Sequence, residues 1–204
     1  MRRGKATKRD RILNDDELRT VWKVAESNGT FGALVRLALL TAQRQDKLAS
    51  MKWSDVRDGV WTIATEDREK GNTGVLVLPE AALAILDEQW ASRDGHSPYI
   101  FPAAHGSGYV SGWSKMKRAF DRNCPIAPWT FHDLRRTAKS LMARAGVRPD
   151  ISERVLGHAI AGVEGVYDRH QYRDEKADAL KRLAQQIMDI VVPPPSNVKK
   201  LRRA

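Results

Sequence analysis

The hydrophobic period of this chain changes twice, and that change restricts its fold more than any other feature. Up to Ala42 apolar residues recur at helical intervals: Leu18, Val21, Trp22 and Ala25, then Leu34, Leu37, Ala38 and Thr41. Past the turn signal Asp58-Gly59, Val60-Trp61-Thr62-Ile63 reads as the second strand of a hairpin begun near 52–56. The turn Lys70-Gly71-Asn72-Thr73-Gly74 leads to a third strand, Val75-Leu76-Val77-Leu78, which Pro79 stops. From Glu80 the spacing is helical again. The fold expected is therefore α+β and predominantly helical, with a small three-stranded antiparallel sheet set inside it.

Helix ends are also legible. Asn14 and Glu17 have capping-box spacing, as do Thr130 and Asp133. A first helix is expected to begin near Asn14–Glu17 and run through Ala25, with others near 31–42, 46–51, 80–90, 112–122, 130–145, 149–156, 162–167 and 173–190, and Tyr99-Ile100-Phe101 an extended link. Residues 1–11 carry six basic side chains against Asp10 and no apolar periodicity, so they read as a linker or arm. One domain is expected over 12–191. Pro193-Pro194-Pro195 cannot continue a helix, and 192–204 read as a disordered basic tail.

With 35 Lys and Arg against 25 Asp and Glu, the chain carries a net charge of +10, which favours polyanionic partners and nucleic acid above all. No apolar run is long enough to span a bilayer, and no secretory signal follows the basic start, so no membrane role and a cytoplasmic site are expected. Cys124 is the single cysteine among 204 residues, which excludes a thiolate metal cage. The five histidines lack metal-ligand spacing. No metal and no cofactor are expected.

The chemistry concentrates in Phe131-His132-Asp133-Leu134-Arg135-Arg136-Thr137 and, later, Leu156-Gly157-His158 and Tyr167. His132 and Arg135 lie three apart near a helix N-terminus and so share one face, where free N–H groups favour anions. Arg can hold two phosphate oxygens at once, and His can exchange a proton near neutrality. A tyrosine hydroxyl is a poor nucleophile unless cations surround it. Taken singly each residue has a plainer role: Arg44 could cap the carbonyls of the preceding helix, Lys70 could simply face solvent in its turn, and Tyr167 could be core.

Taken together, in order and at these intervals, Arg44, Lys70, His132, Arg135, His158 and Tyr167 resemble the tyrosine recombinase (phage integrase) family. The flanks Trp53-Ser54-Asp55, Leu156-Gly157-His158 and Val166-Tyr167-Asp168-Arg169-His170 agree, the last being most like integrases of prophages and genomic islands. Two positions depart: the family usually has Gly where Ala42 stands and an acidic residue where Lys47 stands, with Asp46 a candidate substitute.

The resemblance implies the catalytic-domain fold of that family. It implies a site-specific recombinase in which Tyr167 attacks a phosphodiester of double-stranded DNA at an attachment site. The product is a covalent 3′-phosphotyrosine and a free 5′-hydroxyl, and strand transfer then integrates or excises DNA. Arg44 and Arg135 are the phosphate-binding pair, and Lys70 protonates the leaving oxygen. His132 and His158 assist proton transfer, with the acceptor of the tyrosine proton left open between them. A homotetramer on DNA is implied, with a monomer the alternative for an isolated domain. Nothing in the chain matches the N-terminal DNA-binding domains such integrases carry, so weak DNA binding by this part alone is expected. Two alternatives stand beside this: a relaxing activity like that of type IB topoisomerases, and a non-catalytic DNA-binding remnant.

Overall fold

A computed structural model of the protein describes residues 10–63, 74–93, 95–105, 107–158 and 171–193. Its elements in chain order are α1 (Asp15–Glu26), α2 (Gly29–Thr41), α3 (Gln45–Ala49), β1 (Val56–Arg57), β2 (Val60–Ile63), β3 (Gly74–Val77) and α4 (Glu80–Ala91). They continue with α5 (Trp113–Asp121), α6 (Phe131–Arg144), α7 (Pro149–Leu156) and α8 (Arg173–Val191). The α+β reading, mainly helical with three antiparallel strands, is what the chain forms.

Helix α2 is the axis of the core. Ten of its thirteen residues, from Phe31 to Thr41, are buried, so its apolar content surrounds it rather than forming a stripe. Helix α1 lies close against it at Gly32, where an added Cβ would sit 1.9 Å from the Ala25 carbonyl oxygen. Hydrogen alone fits there. Helices α6 and α8 close other sides through Leu134, Ala138 and Leu141, and through Leu180, Leu183 and Ile187. An aromatic cluster joins α2, α5 and α6: the Phe31 and Phe131 rings meet edge-on at 5.5 Å, and Phe120 meets Trp129 at 5.6 Å.

The sheet runs β1-β2-β3, with Trp61 paired to Leu76 and both turned into the core. The first strand is shorter than the hairpin pattern predicts. Residues 53–55 form one 3₁₀ turn, because the Asp55 carboxylate accepts the Lys52 N–H at 2.9 Å. Trp53 N–H donates to the Pro98 carbonyl at 3.0 Å, and Ile100 N–H donates to that of Met51 at 2.9 Å. The segment expected as a bare link at Tyr99 is therefore a bridge partner of Lys52.

The chain's first described residues are fastened to α6. Arg11 donates to Glu17 at 2.8 Å and to the Ala127 carbonyl at 2.9 Å, so the basic arm expected over 1–11 is already anchored at its last residue. Leu13 N–H donates to Thr137 Oγ1 at 3.0 Å, and that hydroxyl donates to the Asp133 carbonyl at 2.8 Å. Arg144 meets Asp15 through two bonds of 2.7 and 3.0 Å, joining the end of α6 to the start of α1. The helix expected over 162–167, and most of the 1–11 and 192–204 segments, lie outside the described residues.

Candidate active site

Helix α6 begins where its capping box predicts. Thr130 Oγ1 accepts the Asp133 N–H at 3.3 Å, and Asp133 Oδ2 accepts the Thr130 N–H at 2.9 Å. The Asp133 carboxylate is fully buried and also takes a 2.9 Å bond from Arg136. This fixes the first turn, on which His132 and Arg135 stand.

The two do not share a wet face as their spacing suggests. His132 is exposed, whereas Arg135 is 4% exposed and enters the junction of α2 and α7. Its Nη1 donates to the Ala42 carbonyl at 2.6 Å, and its Nη2 to the Leu156 carbonyl at 2.5 Å. Nη2 also lies 3.0 Å from His158 Nε2. Three of the five guanidinium N–H groups thus have partners among the described residues, and two are left for a ligand. A cation is stable there because the carbonyls meet it with their negative ends. Burial, and then the nearby charge of Arg44, pulls its pKa down to about 10, which leaves it charged at neutral pH.

Both carbonyls are presented by left-handed helix ends. Ala42 ends α2 at φ +55°, ψ +22°, and Gly157 ends α7 at φ +68°, ψ +31°. At Gly157 the N–H groups of Gly157 and His158 close back on Arg154 and Glu153, each at 3.1 Å, in the paired bonds of a Schellman turn. A Cβ on Gly157 would meet no atom within 4 Å, so the backbone angle and not crowding selects glycine. The same angle explains why glycine suits position 42. Here an alanine adopts it.

Arg44 follows on the surface at the start of α3, extended at φ −68°, ψ 145°. Its charge reaches both Arg135 and His132. Gln43 holds this corner: it is buried, and its Nε2 donates to the Thr41 carbonyl at 3.0 Å and to that of Val155 at 2.7 Å. Partial desolvation at its base, then the charges of Arg136, Arg135 and Arg44, holds the exposed His132 imidazole below its ordinary value, against the pull of Asp133.

His158 is exposed, and its Nδ1 lies 2.5 Å from Glu153 Oε2. Glu153 is also bound by Lys139 of α6. Burial opposes ionisation of Glu153, but the bonds from Lys139 and His158 outweigh it and hold the carboxyl below the usual range.

The fold therefore brings Arg44, His132, Arg135 and His158 together. Lys70 and Tyr167 lie outside the described residues. The spacing argument missed Gln43 and Glu153. A polar side chain between Thr41 and Arg44 was a visible signal for the first; nothing in Ser152-Glu153-Arg154 distinguished the second from a solvated acid. Cationic donors in a partly desolvated seat, with two imidazoles beside them, are suited to an oxyanion such as a phosphodiester. Among the described residues no group of three or more His, Cys, Asp or Glu side chains could hold a metal, and no helix is long and apolar enough to cross a membrane.

This seat lies on a helical body with one small sheet, and comparison with known proteins gives the family. Residues 11–173 match the phage integrase family, and the chain belongs to it. It is 26% identical over 180 residues to prophage integrase IntZ of Escherichia coli (strain K12), covering 86% of this chain and 44% of that protein. To the integrase of Escherichia phage lambda it is 28% identical over 189 residues, covering 86% and 50%. The chain thus spans about half the length of these relatives. In fold it is similar to XerA recombinase, with a TM-score of 0.64 over 86% of this chain and 64% of that one at 21% identity. It is also similar to lambda integrase solved as a tetramer bound to a Holliday junction, with a TM-score of 0.58 over 80% and 51% at 23% identity.

Proposed function

We propose that this domain is the catalytic part of a site-specific DNA recombinase of the tyrosine type, acting on a double-stranded attachment site. The observation that carries the reading is Arg135. A guanidinium is buried, fixed by two carbonyls and an imidazole, and left with two donors beside a second arginine. Cleavage of a phosphodiester without a metal needs positive charge at the non-bridging oxygens as they gain charge. Arg44 and Arg135 supply it. Tyr167 attacks phosphorus, the 5′-oxygen leaves with a proton from Lys70, and a 3′-phosphotyrosine keeps the bond energy for religation. His132, its imidazole held below the ordinary value, and His158 exchange protons and hydrogen-bond the phosphate.

The partner is DNA, in keeping with the net charge of +10 and with the Holliday-junction complex of lambda integrase. That complex is a tetramer, and four copies on paired sites are the assembly proposed here, in the cytoplasm. The test is a nicked duplex carrying the attachment core, on which cleavage releases a short strand and traps the adduct. A covalent adduct mapped to Tyr167, and lost in Tyr167→Phe, is the expected result. DNA binding without any adduct would leave a non-catalytic remnant. Relaxation of supercoils without site preference would point to a topoisomerase-like enzyme.

A further inference from the structure

The hydrogen-bond directions around His158 are determined by their partners. Arginine has donors only, so the His158 Nε2 that lies 3.0 Å from Arg135 Nη2 presents a lone pair to it. The ring proton then sits on Nδ1, which faces Glu153 Oε2 at 2.5 Å. Glu153 is anchored from the other side by Lys139, and its backbone carbonyl accepts the His158 N–H at 3.1 Å. One glutamate thus grips both the main chain and the ring of this histidine.

We propose that Glu153 is the positioning residue that sets the tautomer of His158, keeping Nδ1 protonated so that Nε2 enters the phosphate seat as a proton acceptor. The role rests on the recombinase reading above. In that reading the bound phosphate draws the Arg135 N–H away from Nε2, and the freed lone pair takes the proton leaving the attacking hydroxyl. The imidazolium formed is balanced by the Glu153 carboxylate through Nδ1–H. The proton returns to the tyrosine oxygen on religation, so no co-reactant is consumed. A carboxylate behind an imidazole acts in this way by fixing ring orientation and tautomer rather than by taking the proton itself.

The test joins a spectroscopic readout to a kinetic one. Protein labelled with ¹⁵N at histidine, with the His158 signals assigned by their loss in His158→Asn, reports the tautomer directly. The wild-type ring should be the Nδ1–H form, Glu153→Gln should give a mixture with Nε2–H, and Lys139→Met should keep the wild-type tautomer because the carboxylate remains. On the nicked duplex, Glu153→Gln should slow adduct formation about 10- to 100-fold at unchanged DNA affinity, a share of what a positioned proton-transfer group contributes. A wild-type ring found as Nε2–H overturns the assignment before any variant is made. So does a Glu153→Gln protein with wild-type tautomer and rate, or a Lys139→Met protein that shifts the tautomer as far as Glu153→Gln does. If the wild type forms no Tyr167 adduct, the recombinase reading fails instead, while the tautomer spectra still decide what Glu153 does.

Discussion

The Ala42 carbonyl and the Arg135 guanidinium, 93 residues apart in sequence, are joined by a 2.6 Å hydrogen bond. The bond exists because Ala42 turns left-handed at φ +55°, ending α2 so that its carbonyl aims at α6. A side chain with a Cβ pays about 1–2 kcal/mol for that conformation. Ala42→Gly should remove this strain and lose part of the gain to a looser unfolded chain, about 0.4–1 kcal/mol. A net stabilisation of up to about 1 kcal/mol is expected, which for a domain of this size raises Tm by about 2–4 °C. Differential scanning calorimetry checks it, and a lower Tm would mean that the turn is not strained.

Arg135 cannot be replaced by lysine. One ammonium has three donors and cannot span two carbonyls, an imidazole and a phosphate. Arg135→Lys should reduce single-turnover cleavage by about 10²–10³-fold, the usual effect of deleting one preorganised oxyanion donor. It should also cost stability, because carbonyls at Ala42 and Leu156 lose a charged partner. Cleavage within tenfold of wild type would remove Arg135 from the phosphate seat.

His132 should titrate below 6.5 in the free protein, since partial desolvation and the charges of Arg136, Arg135 and Arg44 all disfavour its cation. Near and just below pH 6.5 the unfolded chain then binds more protons than the folded one, so stability contributed here rises with pH. Arg136→Gln should move the midpoint upward by removing one of those charges. Proton NMR of the imidazole follows both, and a midpoint above 6.5 would contradict the placement of the three arginines around it.

The pair of Asp15 and Arg144 acts in the same direction in a more acidic window, here by adding stability above it. The Arg144 hydrogen bond and charge hold the Asp15 carboxyl below its usual value. Its contribution is present above the unfolded carboxylate value, near 3.9, and is lost as pH falls through the lower folded one. Both side chains are more than a third exposed, at 38% and 52%, so solvent screens the pair. Asp15→Asn should cost about 0.5–1 kcal/mol at pH 7 and progressively less as pH falls below the unfolded carboxylate value, in parallel urea melts.

Much of this was legible in the chain because local signals and packing agree. The Thr130–Asp133 box fixed the start of α6, and Pro149 with Gly157 bounded α7 to the residue. The strand pattern failed at 53–55, where the Asp55 carboxylate captured a backbone N–H that a ladder would otherwise have used. The grouping of Arg44, His132, Arg135 and His158 followed from their order and intervals, not from their surroundings. Helical spacing placed His132 and Arg135 on one face, but it could not show that α7 covers one of them and leaves the other in water. Glu153 was invisible for a related reason: its role depends on the left-handed turn at Gly157, which brings a ring five residues later back over it.

The bond between Leu13 N–H and Thr137 Oγ1 makes the back of α6 the root of the N-terminal segment. Thr137 lies one turn from Asp133, whose carboxylate closes the cap that holds His132 and Arg135 in register. A pull applied to the chain ahead of Arg11 is taken first by its bonds to Glu17 and Ala127, and then, through Leu13, by the helix carrying the proposed phosphate seat. Fraying at that end and loosening of the seat are one mechanical event rather than two.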